Sequence, residues 1–204
     1  MSRITCKTCR RLGESICGRE KCAYKKRPYA PGRLDSERKH RSQMSEFGEQ
    51  LRAKQKMRHT YGLSEKQFSK YVKIAMQSHG KDAATPELSL YRLLEARLDN
   101  VVFRTGLATS RALARQMVSH GHILINNRRN TVASTTVKNG DVIAIREGSK
   151  SSKLFVDAAE TLGKVTSPVW MTLDPKTTSA TVTGAPREIE AVFDYQKVLE
   201  YYSR

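Results

Sequence analysis

The sequence predicts an α+β fold, on three observations. Helical periodicity runs through the middle of the chain, a short alternating strand follows an arginine-bearing helix at Gly121, and all 4 cysteines fall between Cys6 and Cys22. Together they mark out an N-terminal four-cysteine metal knot, a helical portion and a small α-β unit.

The knot comes first. Cys6 and Cys9 form a C-x2-C pair, followed by Cys17 and Cys22. A C-x2-C pair lets two thiolates meet one metal ion, and a second pair completes a tetrahedron. Arg3, Lys7, Arg10, Arg11, Arg19 and Lys21 surround them and offset four thiolate charges. The segment has almost no apolar residues, so a metal would serve as its core. Zinc is the first choice, and an iron–sulfur cluster takes the same four ligands. Two disulfides or four free thiols are the alternatives.

RPYAPGRL, Arg27 to Leu34, holds two prolines and a glycine and reads as an extended connector. The charged LDSERKHRSQMS after it reads as an arm that orders on RNA or as a solvated linker. From Ser45 a helix is expected with Phe47, Leu51, Met57 and Tyr61 on one stripe and Arg52, Lys56 and His59 opposite. Gly62 stops it. Ser64 with Gln67 forms a capping box for a second helix that buries Phe68, Val72, Ala75 and Met76. Gln77 to Pro86 is a loop, and Leu88 to Phe103 returns to a helical period. Asp99 falls mid-helix among apolar neighbours and should pair with Arg97 or nearby backbone.

Ser110 caps the next helix. Leu113, Ala114, Met117 and Val118 share one face, and Arg111, Arg115, Gln116 and Ser119 the other. The apolar face packs, and the arginine face is left for a partner of negative charge. Gly121 ends the helix, and His122 to Asn126 alternates as a strand. NTVAST and VIAIR, around a Lys138-Asn139-Gly140-Asp141 turn, read as further strands. Ser151 or Ser152 should cap a helix through Phe155, Ala159 and Leu162. PVWMTLDP and SATVTGAP read as two strands with Trp170 in the core, and Asp194 begins a last helix that buries Val198, Leu199 and Tyr202.

The charge narrows the partner. Lys and Arg number 37 against 20 Asp and Glu, a formal +17. Residues 1–60 hold 17 of the former and 6 of the latter, so +11 lies there. Such an excess repels itself unless a polyanion neutralises it, and nucleic acid is the commonest. No apolar run approaches the ~20 residues of a membrane span, and no secretory signal is visible, which leaves a cytoplasmic expectation. Aromatics at 7% argue against a single-strand stacking platform.

ARLDNVVFRTG followed by SRALARQMVSHGHILIN resembles the RNA-binding domain of the family of the fourth bacterial small-subunit ribosomal protein. That domain also occurs in some pseudouridine synthases and tyrosyl-tRNA synthetases. The cysteine knot, RPYAPG, LRAKQKMRHTYGLSEKQF and the terminal LEYYSR resemble the ribosomal family in the same order. The resemblance implies a structural binder of small-subunit rRNA rather than an enzyme. It implies early binding near a helix junction of the RNA 5′ domain, nucleation of assembly, and a contact with the fifth small-subunit protein linked to translational accuracy. With the third and fifth proteins, such a chain lines the path by which mRNA enters.

By resemblance, RNA contact goes to Arg97, Arg104, Ser110, Arg111, Arg115, Gln116, His120, His122 and Arg128, to which we add Arg52 and Lys56. Cys6, Cys9, Cys17 and Cys22 carry over as metal ligands. The tail is expected to pack on the helices of residues 45–78. The small RNA-binding domain then becomes an insertion in a helical domain formed by the middle and C-terminal segments. The expected divisions are 1–44 for knot and basic arm, 45–93 with 157–204 for the helical domain, and 94–156 for the RNA-binding domain. Two departures stand out. Asn126-Asn127 replaces the usual Asn-Gly, a turn Asn tolerates, and only seven residues separate Cys9 from Cys17.

Two rivals remain. An RNA-modifying enzyme would need a further catalytic domain for which the chain has no room. No Gly-rich phosphate loop, HExxH or Ser/His/Asp order appears. A zinc-dependent DNA-binding regulator suits the knot but lacks a dimerising portion.

Overall fold

The computed structural model describes residues 5–18, 20–32, 43–77, 85–152, 154–156, 158–187, 189 and 192–204. Their elements in chain order are α1 (Cys6–Leu12), α2 (Ala23–Lys26), α3 (Glu46–Thr60), α4 (Glu65–Gln77), α5 (Pro86–Glu95), α6 (Leu98–Arg104), α7 (Arg111–Ser119), β1 (Ile123–Ile125), β2 (Arg128–Arg129), β3 (Val142–Ile145), α8 (Glu147–Lys150), α9 (Ala158–Lys164), β4 (Met171–Asp174), β5 (Ser179–Val182) and α10 (Tyr195–Ser203). The chain forms two units, Met1–Asp82 with Glu190–Arg204, and Ala83–Ile189. The basic arm falls mostly at 33–42, outside the described residues, as does most of the loop before Pro86.

In the first unit α3 packs on α10, with α4 beside α10. The Ser45 hydroxyl accepts from the Gly48 amide at 3.2 Å and starts α3. The buried stripe of α3 differs from the apolar one expected. Gln50, Lys54 and Met57 are buried, with Tyr61 next in register, while Phe47 is largely exposed and only tilts against the Tyr201 ring. The polar members bury because each finds partners. Gln50 Nε2 donates to Glu46 and to Glu200 at 3.1 Å, and Lys54 Nζ to Glu65 at 2.8 Å. Ser64 caps α4 as read, its hydroxyl accepting from the Gln67 amide at 3.3 Å and donating to Gln67 Oε1 at 3.4 Å. Phe68, Val72 and Ala75 are buried behind it. Asp194 caps α10 by accepting from the Lys197 amide at 3.0 Å. Tyr195 and Val198 are its buried residues, while Leu199 and Tyr202 keep partial exposure.

In the second unit Thr85 caps α5, with Pro86 in its first turn. The expected single helix from Leu88 to Phe103 is two. At Arg97 the backbone turns extended and pairs with Thr136. The Leu98 amide donates to Thr135 and the Val137 amide to Ala96, so tertiary pairing outcompetes helix continuity. Asp99 therefore sits in the first turn of α6, where negative charge is favoured.

The five strands are ordered β2-β1-β3-β5-β4, all neighbours antiparallel. Leu98, Val101, Ala114, Met117 and Val118 pack against Ile123, Ile143, Ile145 and Val182, with Trp170 partly buried at the edge. Three expectations change here. NTVAST is a turn, because Asn130 Oδ1 accepts from the Val132 amide at 2.8 Å and the Thr135 hydroxyl at 3.2 Å. The helix expected from Ser151 or Ser152 starts only at Ala158, since the Ser152 carbonyl closes a turn on the Phe155 amide, and α8 precedes it. The two strands read at PVWMTLDP and SATVTGAP form as β4 and β5, but they lie in the sheet of the second unit and not with the helical portion expected to hold 157–204. These extend the sheet from β3 through the pairs Val142 to Thr181 and Ile143 to Ala180.

Candidate nucleic-acid interface and metal centre

The helix α7 starts where Ser110 Oγ accepts from the Leu113 amide at 3.3 Å. Ala114, Met117 and Val118 face the core, as the spacing predicted. The opposite face is not loose. Arg115 donates through Nε at 2.9 Å and Nη2 at 2.5 Å to one oxygen of Asp99. Arg97 donates to both Asp99 oxygens, at 3.1 and 2.8 Å. Arg111 donates through Nε to Asn100 at 2.7 Å, and its guanidinium lies 4.3 Å from the Phe103 ring centroid. Arg104 forks onto Glu95 at 2.8 and 3.1 Å. Glu95, Asp99 and Asn100 are themselves buried.

The predicted contact residues thus fall into different environments. Arg97 is 2% exposed and structural in placement, its guanidinium turned inward on Asp99. Arg104, Arg111 and Arg115 are tethered yet partly in solvent, and Gln116, His120 and Arg128 are exposed. The rings of His120 and His122 stand 6.0 Å apart. His122 Nδ1 lies 2.9 Å from the Ser149 hydroxyl and its ring meets the edge of Phe155. Arg129, which the sequence reading passed over, reaches back to the His120 carbonyl at 3.4 Å across Gly121. Glycine is favoured there: φ is 75°, and a Cβ would stand 2.1 Å from the Arg129 Nε, so that side chain would have to swing away.

Glu95 and Asn100 were missed as well. Each is a polar residue within an apolar helical stripe, the one signal that could have found them. The Asn126-Asn127 turn forms with φ of 49° and 63°. Asn126 also holds Asp141 at 2.8 Å and the Val142 amide at 2.9 Å.

In the first unit Arg52 and Lys56 line a groove of about 410 Å³ with Leu12, Glu14, Phe193 and Lys197. Lys56 pairs with Glu14 at 2.7 Å. Arg52 is exposed, its Nη2 close to Gly13.

The cysteines converge. The sulfurs of Cys6, Cys17 and Cys22 all lie within 4.8 Å of one another. Cys9, buried one turn after Cys6 on α1, interacts electrostatically with Cys17 and Cys22. The C-x2-C pair rides on α1 itself, one turn apart, while Cys17 lies in a turn and Cys22 at the start of α2. Sulfurs around a tetrahedral zinc ion stand about 3.8 Å apart, from a bond near 2.3 Å. These three sulfurs need only a modest contraction, so they fit a thiophilic metal, with Cys9 beside them as the expected fourth ligand. All four cysteines are free. Burial pushes the Cys9 thiol up to about 11, with hydrogen bonding and charge from Cys17 contributing. Burial raises Cys22 too, but hydrogen bonds from Ser15 and the Tyr24 amide outweigh it and bring the thiol down to about 7. Arg10 ties the connector to this knot. It donates to the Tyr29 carbonyl at 2.9 Å and lies 4.7 Å from that ring's centroid. Arg3 and Arg19 lie outside the described residues. Among the described residues, no helix is long and apolar enough to cross a membrane.

Comparison with known proteins matches residues 2–95 to the ribosomal protein S4/S9 N-terminal domain and residues 96–143 to the S4 domain. The chain is 41% identical to the small ribosomal subunit protein uS4 of Dehalococcoides mccartyi, with 100% of each covered. It is 40% identical to the protein of that name from Kosmotoga olearia, again over 100% of each. The Syntrophomonas wolfei protein of that name is 40% identical, over 98% of this chain and 96% of its own length.

Proposed function

The chain belongs to the uS4 family of small-subunit ribosomal proteins, and on that premise we propose that it binds small-subunit rRNA directly, near a helix junction of the 5′ domain. The full-length match to relatives carrying that name carries the reading. In this reading the protein binds early and nucleates assembly of the subunit. It touches the fifth small-subunit protein at a contact that bears on translational accuracy. With the third and fifth proteins it borders the path of incoming mRNA.

The arginine face of the second unit supports it physically. Arg104, Arg111 and Arg115 present partly solvated guanidinium groups near the N-terminus of α7, where free amides and the helix dipole favour a phosphate. Ser110, Gln116, His120, His122 and Arg128 extend that face, and Arg52 and Lys56 supply contacts from the first unit. Folded RNA is recognised largely through its backbone and shape, which suits fixed cations better than base-reading side chains. Cys6, Cys9, Cys17 and Cys22 hold one zinc ion in a purely structural role, an iron–sulfur cluster being the alternative. The ion supplies the knot with a core that its few apolar residues do not.

Binding to 5′-domain junction rRNA and to duplex DNA at matched salt tests the proposal, followed by crosslinking in a reconstituted subunit. Tighter binding to the rRNA, with crosslinks on α7 and at Arg128, is expected. Equal binding to both would favour a DNA-binding regulator.

A further inference from the structure

The geometry points to Asp99 as a positioning residue for the polyanion contact: its buried carboxylate fixes the edge that Arg115 presents. This rests on the rRNA-binding reading and deepens it. Asp99 is 4% exposed and receives Arg97 and Arg115 together. Two guanidinium groups would otherwise repel each other across that gap. With the carboxylate between them they form a trio of net charge +1, and 25% of the Arg115 side chain remains in solvent.

Asn100 and Glu95 repeat the device without crowding it. Asn100 Oδ1 takes the Nε edge of Arg111, and its amide nitrogen donates to the Glu95 carbonyl at 3.4 Å. Glu95 takes the Nε edge of Arg104. In each pair a rotamer-rich side chain is anchored along one edge before any partner arrives. Such anchoring removes part of the ordering cost of binding. A buried ion pair is weak as a source of stability, so its worth here lies in geometry.

The sign of one substitution separates this role from simple charge. Asp99→Asn raises the net charge by one, and counting charges predicts tighter rRNA binding. Positioning predicts weaker binding, roughly tenfold, with the salt slope unchanged because the same phosphates are met. The variant leaves Arg97 buried opposite an amide and risks unfolding. Arg97→Met with Asp99→Asn restores a neutral interior at the wild-type net charge and should show the same loss.

A measurement on the unaltered chain accompanies these. The Arg115 Nε–H should be ordered and slow to exchange without RNA, and become mobile in the double variant. A folded variant that binds as tightly as wild type, or a mobile Arg115 in the unaltered chain, overturns the role and leaves rRNA binding standing. Failure of the unaltered chain to bind junction rRNA would overturn the functional reading itself, whatever the state of Arg115.

Discussion

Lys54 and Glu65 meet at 2.8 Å with unequal access to water: the Lys54 side chain is 6% exposed and that of Glu65 48%. The ammonium lies 4.4 Å from the Tyr201 ring centroid and 5.7 Å from that of Tyr202. This imbalance makes the two truncations unequal. Glu65→Ala strands a buried cation and should cost roughly 2 kcal/mol, below the usual range for a broken buried pair because the rings remain. Lys54→Met keeps the stem and leaves a carboxylate that water can reach, so its cost should be about 1 kcal/mol or less. Urea denaturation at neutral pH compares them, and equal losses would refute the asymmetry.

The same neighbourhood sets an acid limb. Burial alone would raise the Glu65 carboxyl, but hydrogen bonds from Lys54 and Tyr202 and the charges of Lys54 and Arg58 outweigh it and hold the group below its ordinary 4.5. Burial first, and Arg58 second, hold His59 below its ordinary 6.5. Its Nε2 stands 3.0 Å from Arg58, which can only donate, so the ring is neutral. In both cases the unfolded chain binds protons more readily than the folded one. Stability is therefore complete above the unfolded values and falls as pH drops, from about 6.5 through His59 and from about 4.5 through Glu65. Tyr202 is pushed far above its ordinary 10.0 by burial and by Glu65, so stability also declines above that value. Unfolding midpoints across pH should trace this dome, and Glu65→Gln should flatten it below pH 4.5.

Periodicity located most of these elements because their signals are local. Ser45, Ser64, Ser110 and Asp194 each cap where they were expected to. The face of α3 was not legible, because Gln50 and Lys54 bury through partners far away in sequence, Glu200 and the α10 tyrosines. The break at Arg97 was hidden likewise, being made by the strand-like segment at Thr135 to Val137. At the candidate site, the cations could be read from the face of α7. Their anchors could not, because a carboxylate such as Glu95 gains its meaning only when Arg104 returns to it one helix later.

The turn after β1 yields opposite effects at adjacent residues. Asn127 holds φ of 63°, which glycine adopts more easily, so Asn127→Gly should stabilise by about 0.5 kcal/mol. Asn126 has a similar φ, but its side chain binds Asp141 and the Val142 amide. Asn126→Gly should destabilise by about 1 kcal/mol. Thermal midpoints of the two variants moving in the same direction would contradict this assignment.

Arg111→Ala combined with Arg115→Ala removes two cations and leaves Asp99 paired to Arg97, so the fold should persist. Affinity for rRNA should fall, and the slope of log K against log salt should shrink by up to about two units. An unchanged slope would move the interface to another face.

Removing the metal should act on one segment. The knot buries little besides Cys9 and Cys22, and its helices α1 and α2 have only 7 and 4 residues. In contrast, α3 and α4, with 15 and 13 residues, rest on their own buried side chains. With a metal held there as proposed, metal–thiolate bonds would supply most of the order up to about Gly32, and binding free energy would become folding free energy for that stretch alone. A strong chelator should release one metal ion per chain and open this segment to protease. The far-ultraviolet helix signal should fall only slightly, and Cys9→Ser should reproduce the effect without chelator. If the segment instead stays protected after complete metal loss, hydrogen bonds among the thiols, together with the Arg10–Tyr29 tie, are sufficient to hold it.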